Sequence, residues 1–333
     1  MRMGVHHDGA RLGTPMQLFI SSGDLVADRR YEYARDLEQR GDLSAAAQVY
    51  VQALELAPGF ASAWFAFGET LARLGETNAA IEAFRNARRF DPEDRHGAAV
   101  QLARLTGDVV PMPAGYVRAL FDQYARHYDL SLLEGLDYRG PQLLLEAVAA
   151  ACAALGRAMR FDRALDLGCG TGLAGNRFAG CVDSFVGVDL SPAMIAAARK
   201  TGRYHHLHVG DVLEFLTGET AGGADLVIAA DSLPYCSDLG PLARAVGRVL
   251  AEGGLFAFTA ETHDGDGVIL CDTLRYAHGA DHVRAALTRA GLACVSLTVA
   301  SSRKEKNIPV PGLVVVAARP VSTSPSSDAS PGA

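Results

Sequence analysis

The sequence predicts two architectures in tandem: an all-α repeat domain, then an α/β domain built on a mostly parallel sheet. Three observations carry this. The first hundred residues repeat themselves with a 34-residue period. From about residue 160, β-type and helical stretches alternate, which reads as parallel strands with covering helices. A glycine-spaced turn, "ALDLGCGTGLAG" at 164–175, directly follows the first strand. A length of 333 residues fits two domains, and an apolar share of 49% with 21% charged residues is ordinary for a chain with a real core. The formal net charge is −7 with no compensating block of Lys or Arg, which argues against a nucleic-acid surface.

The ends read as tails. Residues 1–24 form a flexible leader without a signal-type apolar core, and translation starts at Met1 or Met16. The leader's His6 and His7 read as free-tail residues. Residues 321–333 are rich in Ser, Pro and Ala and read as disordered. No stretch of eighteen apolar residues occurs, so no membrane association is expected. Cys152, Cys169, Cys181, Cys236, Cys271 and Cys294 make no C-x-x-C pair and have no His cluster at ligand spacing. No metal site is therefore expected, and a reducing cytoplasm suits the chain.

Within the repeat, Leu37 aligns with Leu71, Gly41 with Gly75, Ala46 with Ala80, Tyr50 with Phe84, Ala53 with Ala87 and Pro58 with Pro92. The glycines allow a tight turn between helices, the alanines let helix axes approach, and the prolines follow helix ends. This resembles the tetratricopeptide repeat. It predicts a domain over 25–110 of two and a half repeats, because Pro111 and Pro113 stop the third unit after one helix. The half-repeat is expected to cap the array or dock it on the second domain. The resemblance implies either a protein or peptide partner in the repeat groove or a purely supporting array.

The second domain is expected over 111–320. Helices are predicted at 117–127 and 142–155, strands at 163–167, 184–189, 206–209, 225–230 and 254–259, and helical stretches at 192–202 and 239–251. Two closing strands are predicted in "ACVSLTVAS" and "GLVVVAARP", joined by a hairpin whose tip, 303–306, reads as solvated. Gly168, Gly170 and Gly172 are spaced G-x-G-x-G, unlike dinucleotide- or phosphate-binding loops, and no lysine lies in the turn. Asp166 sits just before it, where a pyrophosphate would be repelled. Asp189 ends the second strand, about where an acid grips a ribose. Asp211 and Asp231 close the third and fourth. Each acid also suits a helix N-cap.

Together these segments resemble the class I S-adenosylmethionine-dependent methyltransferases over about 115–320. "FDQYARHYD", "LDYRGP", "RYAH" and "PVPGLVVVAAR" further resemble a bacterial family of repeat-containing predicted methyltransferases. The resemblance implies a Rossmann-like seven-stranded sheet with its last strand antiparallel, and S-adenosyl-L-methionine as cofactor. Gly168, Gly170 and Gly172 would line its methionine part and Asp166 would hold the ammonium. Asp189 would take the ribose hydroxyls, Leu190 or Met194 would pack on the adenine, and Asp211 with the Val212 amide would read its edge. Asp231 would lie near the reactive end.

Tyr124 and Tyr128 share one helix face and would contact the cofactor or simply pack. Tyr276 and His278 would cover the acceptor pocket, with His278 or Asp231 as a proton acceptor, although a surface or helix-capping role suits His278 better. "DSLPY" at 231–235 departs from the D-P-P-Y signature of amine methylation on bases. The expected reaction is methyl transfer to an O, N or C atom of a small-molecule acceptor. The alternatives are a protein substrate docked on the repeats and a non-catalytic cofactor-binding scaffold.

Overall fold

A computed structural model describes residues 18–125, 138–305 and 307–321. Tyr128, the leader through residue 17 and the tail from 322 lie outside the described residues.

Five helices form the repeat region: α1 (Leu25–Gln39), α2 (Leu43–Leu56), α3 (Ala61–Arg73), α4 (Thr77–Phe90) and α5 (Ala98–Thr106). Asp24 caps α1 by accepting from Val26 and Ala27 N–H groups, and Asp42 caps α2 through Ala45. The aligned alanines are fully buried, as are Tyr50 and Phe84, the aromatic pair of the alignment. Gly41 and Gly75 both adopt φ above +80°, as the turn requires. A buried knot ties the first three helices together. The Glu38 carboxylate accepts from Tyr50 Oη at 2.8 Å and Thr70 Oγ1 at 2.6 Å, and pairs with Arg35 and Arg73.

The half-repeat helix α5 is followed by α6 (Ala114–Tyr124), which starts three residues earlier than the pattern suggested. Pro113 stands at its N-cap, and its ring imposes no cost where helical N–H groups lack partners anyway. Val100 of α5 joins Tyr116, Val117 and Leu120 of α6 in one apolar cluster. Gly97, at φ +79°, lets the Tyr116 ring come close: a Cβ there would lie 2.6 Å from it.

The sheet follows. Its elements are α7 (Gly140–Ala154), β1 (Phe161–Leu167), α8 (Leu173–Phe178), β2 (Val182–Asp189), α9 (Pro192–Lys200), β3 (His206–Val209), α10 (Val212–Gly218) and β4 (Ala224–Ala229). A 3-10 turn (Leu233–Tyr235), α11 (Leu239–Val249), β5 (Leu250–Thr262), β6 (Val268–Leu270), β7 (Tyr276–His278), α12 (Ala280–Arg289), β8 (Ala293–Val299), β9 (Lys304–Glu305), β10 (Ile308–Pro309) and β11 (Gly312–Ala318) complete it.

The strand order is β3-β2-β1-β4-β5-β11-β8, a seven-stranded path in which β11 runs antiparallel to both neighbours. The last strand is thus antiparallel, as expected. Two short strands of this sheet were not anticipated: β7 adds to the end of β5 and pairs with β6 in a hairpin, while β9 and β10, also unanticipated, pair separately. Three-residue strands carry too little periodicity to announce themselves.

Alternation along β1 sends Leu165 and Leu167 into the core under α10, α11 and α12, and Ala164 into the core under α7 and α8. A strand covered on both faces must be apolar on both, which is why the buried stretches of β1, β4 and β5 are apolar almost throughout. Asp166 breaks that run on the α7–α8 face.

Candidate functional site

At the carboxyl ends of β1, β2 and β4 lies a cavity of about 480 Å3. Gly168 and Gly170 form part of its floor, with Asp189, Leu190, Asp211, Val212 and Asp231 around it. The strap from Pro111 to Phe121 closes one side, so the segment linking repeats to sheet is a wall of the site.

The bare glycine turn has a local cause. Gly168 adopts φ +74°, and a Cβ there would lie 2.5 Å from the Ser232 Cβ. Ser232 is pinned in turn by its hydroxyl, which donates to the Leu167 carbonyl at 2.8 Å. The Gly170 N–H donates to Asp189 Oδ2 at 2.9 Å, and the Ser191 N–H to Oδ1 at 2.8 Å. Burial raises the Asp189 pKa above the usual carboxylate range, and these two N–H donors oppose the shift. Each oxygen keeps a lone pair for a further donor.

Asp211 reaches the cavity rim while its Oδ1 caps α10, accepting from Leu213 at 2.8 Å and Glu214 at 3.1 Å. Both of its anticipated roles, cap and rim acid, are therefore compatible. Asp231 has φ +53°, a strained value for a residue with a Cβ. Thr259 Oγ1 accepts from the Asp231 N–H at 2.8 Å and donates to Oδ1 at 2.6 Å, and Ser302 Oγ lies 3.0 and 2.9 Å from the two carboxylate oxygens.

Several expected site residues lie elsewhere. Asp166 does not line the cavity; it is 1% exposed and accepts from Tyr204 Oη at 2.7 Å. Burial, with Asp189 nearby, pushes its carboxyl up to about 7, and its Oδ1 has no hydrogen-bond partner among the described residues. Gly172 serves as the N-cap of α8 at φ +93°, where a Cβ would press on the Tyr204 ring. Met194 is fully buried in the first turn of α9, so Leu190 is the apolar residue of that pair at the cavity. Tyr124 packs in the apolar cluster beside the site and is not on the cavity wall.

Tyr276 and His278 are sealed. Tyr276 is fully buried, and its hydroxyl bonds to both the N–H and the carbonyl of Val110, which fastens the strap to the sheet. His278 is also fully buried. Its ring stacks on His282 at 5.9 Å, and neither nitrogen makes a well-formed hydrogen bond among the described residues. Burial and the neighbouring histidines depress its pKa to about 4. Neither residue lines the cavity; the β6–β7 hairpin packs Leu270 and Leu274 against the apolar cluster of α5 and α6 beside it.

Of the expected solvated tip at 303–306, Lys304 is exposed, but Arg303 is not. Arg303 is 5% exposed and donates to Glu261 Oε1 at 2.5 Å and to Glu305 at 3.1 Å; Lys306 lies outside the described residues.

Residues that sequence reasoning missed include Asp122, Tyr235 and Arg275. Asp122 Oδ1 accepts from Ser191 Oγ at 2.5 Å and so ties the strap to the N-terminus of α9. Tyr235 lines the cavity, and Arg275 Nε donates to its hydroxyl at 3.4 Å. The signal available for Tyr235 was its place four residues after the acid that closes β4.

This sheet order, with a bare turn after β1 and acids at the tips of β2 and β4, is the Rossmann-like arrangement typical of methyltransferases. Residues 164–254 match the family model described as a methyltransferase domain, and residues 37–104 match that of the tetratricopeptide repeat. The chain carries a methyltransferase domain behind tetratricopeptide repeats.

Among curated proteins it is similar to a malonyl-(acyl-carrier protein) O-methyltransferase of Serratia marcescens. The two are 28% identical over 137 residues, 40% of this chain and 52% of that protein. It is also similar to a ubiquinone biosynthesis O-methyltransferase of Xanthomonas oryzae pv. oryzae, 32% identical over 95 residues, 28% of this chain and 40% of that protein. The chain thus spans about half the length of the curated relatives it matches, or less. Among solved structures, an S-adenosylmethionine-dependent methyltransferase from Clostridium acetobutylicum aligns with a TM-score of 0.45 and 18% identity, covering 60% of this chain and 99% of that one.

Proposed function

We propose that the chain transfers a methyl group from S-adenosyl-L-methionine to an O, N or C atom of a small-molecule acceptor. The observation that carries this is the cavity at the strand tips, with main chain exposed at Gly168 and Gly170 and the Asp189 carboxylate beside it. The residues present fit the cofactor. Gly168 leaves room where a side chain would collide with Ser232, and Asp189 retains lone pairs for two ribose hydroxyls. Leu190 offers an apolar face to the adenine, and the Val212 main chain lies at the rim. The matched methyltransferase domain supports the same reading, and both curated relatives are named O-methyltransferases, which supports an oxygen acceptor.

When bound, the cofactor supplies an electrophilic methyl on a sulfonium and so needs no protein nucleophile. The chain's own residues bind and orient. Such positioning contributes on the order of 7–11 kcal/mol to a bimolecular step. The strap lines the cavity with Pro111, Met112, Val117 and Phe121, an apolar wall that would keep water from the methyl when the cofactor is bound. The division into a repeat domain over 25–110 and a catalytic domain over 111–320 belongs to this proposal, as does the cytoplasm as its place of work. Among the described residues, no helix is long and apolar enough to cross a membrane.

Titration calorimetry tests the reading. S-adenosylmethionine and S-adenosylhomocysteine should bind while NAD and ATP do not, and Asp189→Ala should weaken cofactor binding by about 1.5–3 kcal/mol. Clean binding of NAD or ATP alone would sink it.

A protein substrate remains the second reading, favoured by one observation. A cleft of about 910 Å3 between α4, α5 and the strap shares Pro111 and Ala114 with the cofactor cavity. Deleting the first 110 residues does not test it, because that removes Val110, the anchor of Tyr276, and the α5 face on which α6 rests. Labelled cofactor and size-fractionated cell extract discriminate: label in small molecules supports the first reading, label in protein the second.

A further inference from the structure

Six titratable side chains line the cavity among the described residues: Asp189, Asp211, Asp231, Tyr235, Cys236 and Asp238. Their existing hydrogen bonds separate them. Asp189 and Asp231 are held as described above. Asp211 caps α10, and Asp238 caps α11 by accepting from the Gly240 N–H at 2.8 Å. Burial pushes the Cys236 thiol up to about 11, so it stays protonated at neutral pH.

Tyr235 differs from the rest. Its hydroxyl accepts from Arg275 Nε, and the guanidinium carbon also lies 6.0 Å from its ring centroid. Arg275 is itself fixed by Glu305 at 2.8 Å and faces Glu261 at 3.6 Å, and Arg303 shares both carboxylates. The turn between β6 and β7, closed by Cys271 and Leu274, delivers Arg275 to this point. On the cavity side the Phe121 ring meets Tyr235 edge-on at 5.2 Å.

No Lys, Arg or His lines the cavity among the described residues. The Arg275 charge therefore acts on it through the phenol. With Arg275 donating to the oxygen, the phenol's own O–H points away from the guanidinium and is available as a donor.

We infer that Tyr235 holds the methyl acceptor by donating its O–H to a neutral oxygen beside the methylated atom, with Arg275 as the positioning residue behind it. The inference rests on the cofactor reading above. The acceptor's charge follows from the walls: with Asp189 and Asp211 given to the cofactor, Asp231 and Asp238 still repel a carboxylate or phosphate. Its oxygen follows from the donor, since an ammonium has no lone pair to offer the phenol. Its body follows from Met112, Val117, Phe121 and Leu233, which present apolar surface around Tyr235. The acceptor class is a neutral, largely apolar molecule with neighbouring oxygens.

The test is calorimetry on the full chain, first with S-adenosylhomocysteine and then, on the saturated protein, with catechol, benzoate and benzylamine as probes. Catechol should bind at least tenfold more tightly than the other two. Tyr235→Phe should weaken catechol about tenfold, the scale of one neutral hydrogen bond, and leave S-adenosylhomocysteine unchanged. Arg275→Gln should weaken catechol similarly, with Arg275→Lys in between. A purely structural tyrosine would move cofactor affinity and leave probe selectivity alone. Absent catechol binding, equal catechol affinity in Tyr235→Phe, or a preference for benzoate or benzylamine overturns the inference while the cofactor reading stands. Failure to bind S-adenosylhomocysteine at the first step overturns the proposed function, and this inference with it.

Discussion

The repeat region and the sheet use the same residue, glycine at positive φ, for opposite reasons. Gly75 turns the chain between α3 and α4 at φ +82° with nothing within 4 Å of where a Cβ would lie. Gly168 has a similar φ of +74°, but Ser232 waits 2.5 Å away. The first glycine serves its own turn. The second serves a neighbour 64 residues on and the cavity above it. The contrast extends to the cores. The repeats join helices that follow one another in sequence, whereas β1 is sandwiched between β2 and β4 and depends on distant chain. Regions built from local contacts tolerate local change, and the sheet should not.

The sharpest way to break the comparison is to add one methyl to each glycine. Gly168→Ala combines left-handed strain with a collision and should cost about 4 kcal/mol in denaturant unfolding, with cofactor binding lost. Gly75→Ala carries strain alone and should cost about 1 kcal/mol. Equal losses would show that the collision is relieved by a small shift of Ser232.

The buried polar groups sharpen it next. His278 in the sheet region is held neutral, with a pKa of about 4 against 6.5 for the free side chain. Its contribution to stability is complete above pH 6.5 and is lost as pH falls toward 4, by up to about 3 kcal/mol. Asp166, pushed up to about 7 from 3.8, has the opposite slope: its contribution is present at low pH and is lost as pH rises through about 7. Urea unfolding between pH 4 and 7 should therefore show a flatter acid loss in His278→Asn and a steeper one in Asp166→Asn.

In the repeats, Glu38→Ala leaves Tyr50, Thr70 and Arg35 without their shared acceptor and should cost about 3 kcal/mol. That loss should leave the affinity of the distant cavity for cofactor untouched. A matching drop in affinity would mean that the array and the sheet unfold as one unit.

Much of the fold could be read directly. The 34-residue alignment placed α1 to α4, and the strand candidates agree with β1 to β5, β8 and β11 to within a few residues. The exception is β5, which starts four residues earlier and runs three residues further. Gly168, Gly170, Asp189, Leu190, Asp211, Val212 and Asp231 do converge on one cavity. What failed were inferences about which way a side chain faces. Tyr276 and His278 lie in a three-residue strand that pattern reading could not see, and pairing with β5 turned both inward. Arg303 sits in a charged run that composition assigns to solvent, yet Glu261 at the end of β5 draws it under.

Periodicity, glycine spacing and the acids at strand ends are properties of neighbouring residues, so the sequence alone determined the repeat array, the places of the main strands along the chain and the bare turn after the first of them. Which groups meet was decided by the tertiary structure. Tyr235 and Arg275 are 40 residues apart, Asp231 and Ser302 are 71, and Tyr276 and Val110 are 166. Hydrogen bonds act over about 3 Å, and no local pattern in the chain records which distant donors the fold will bring within that reach.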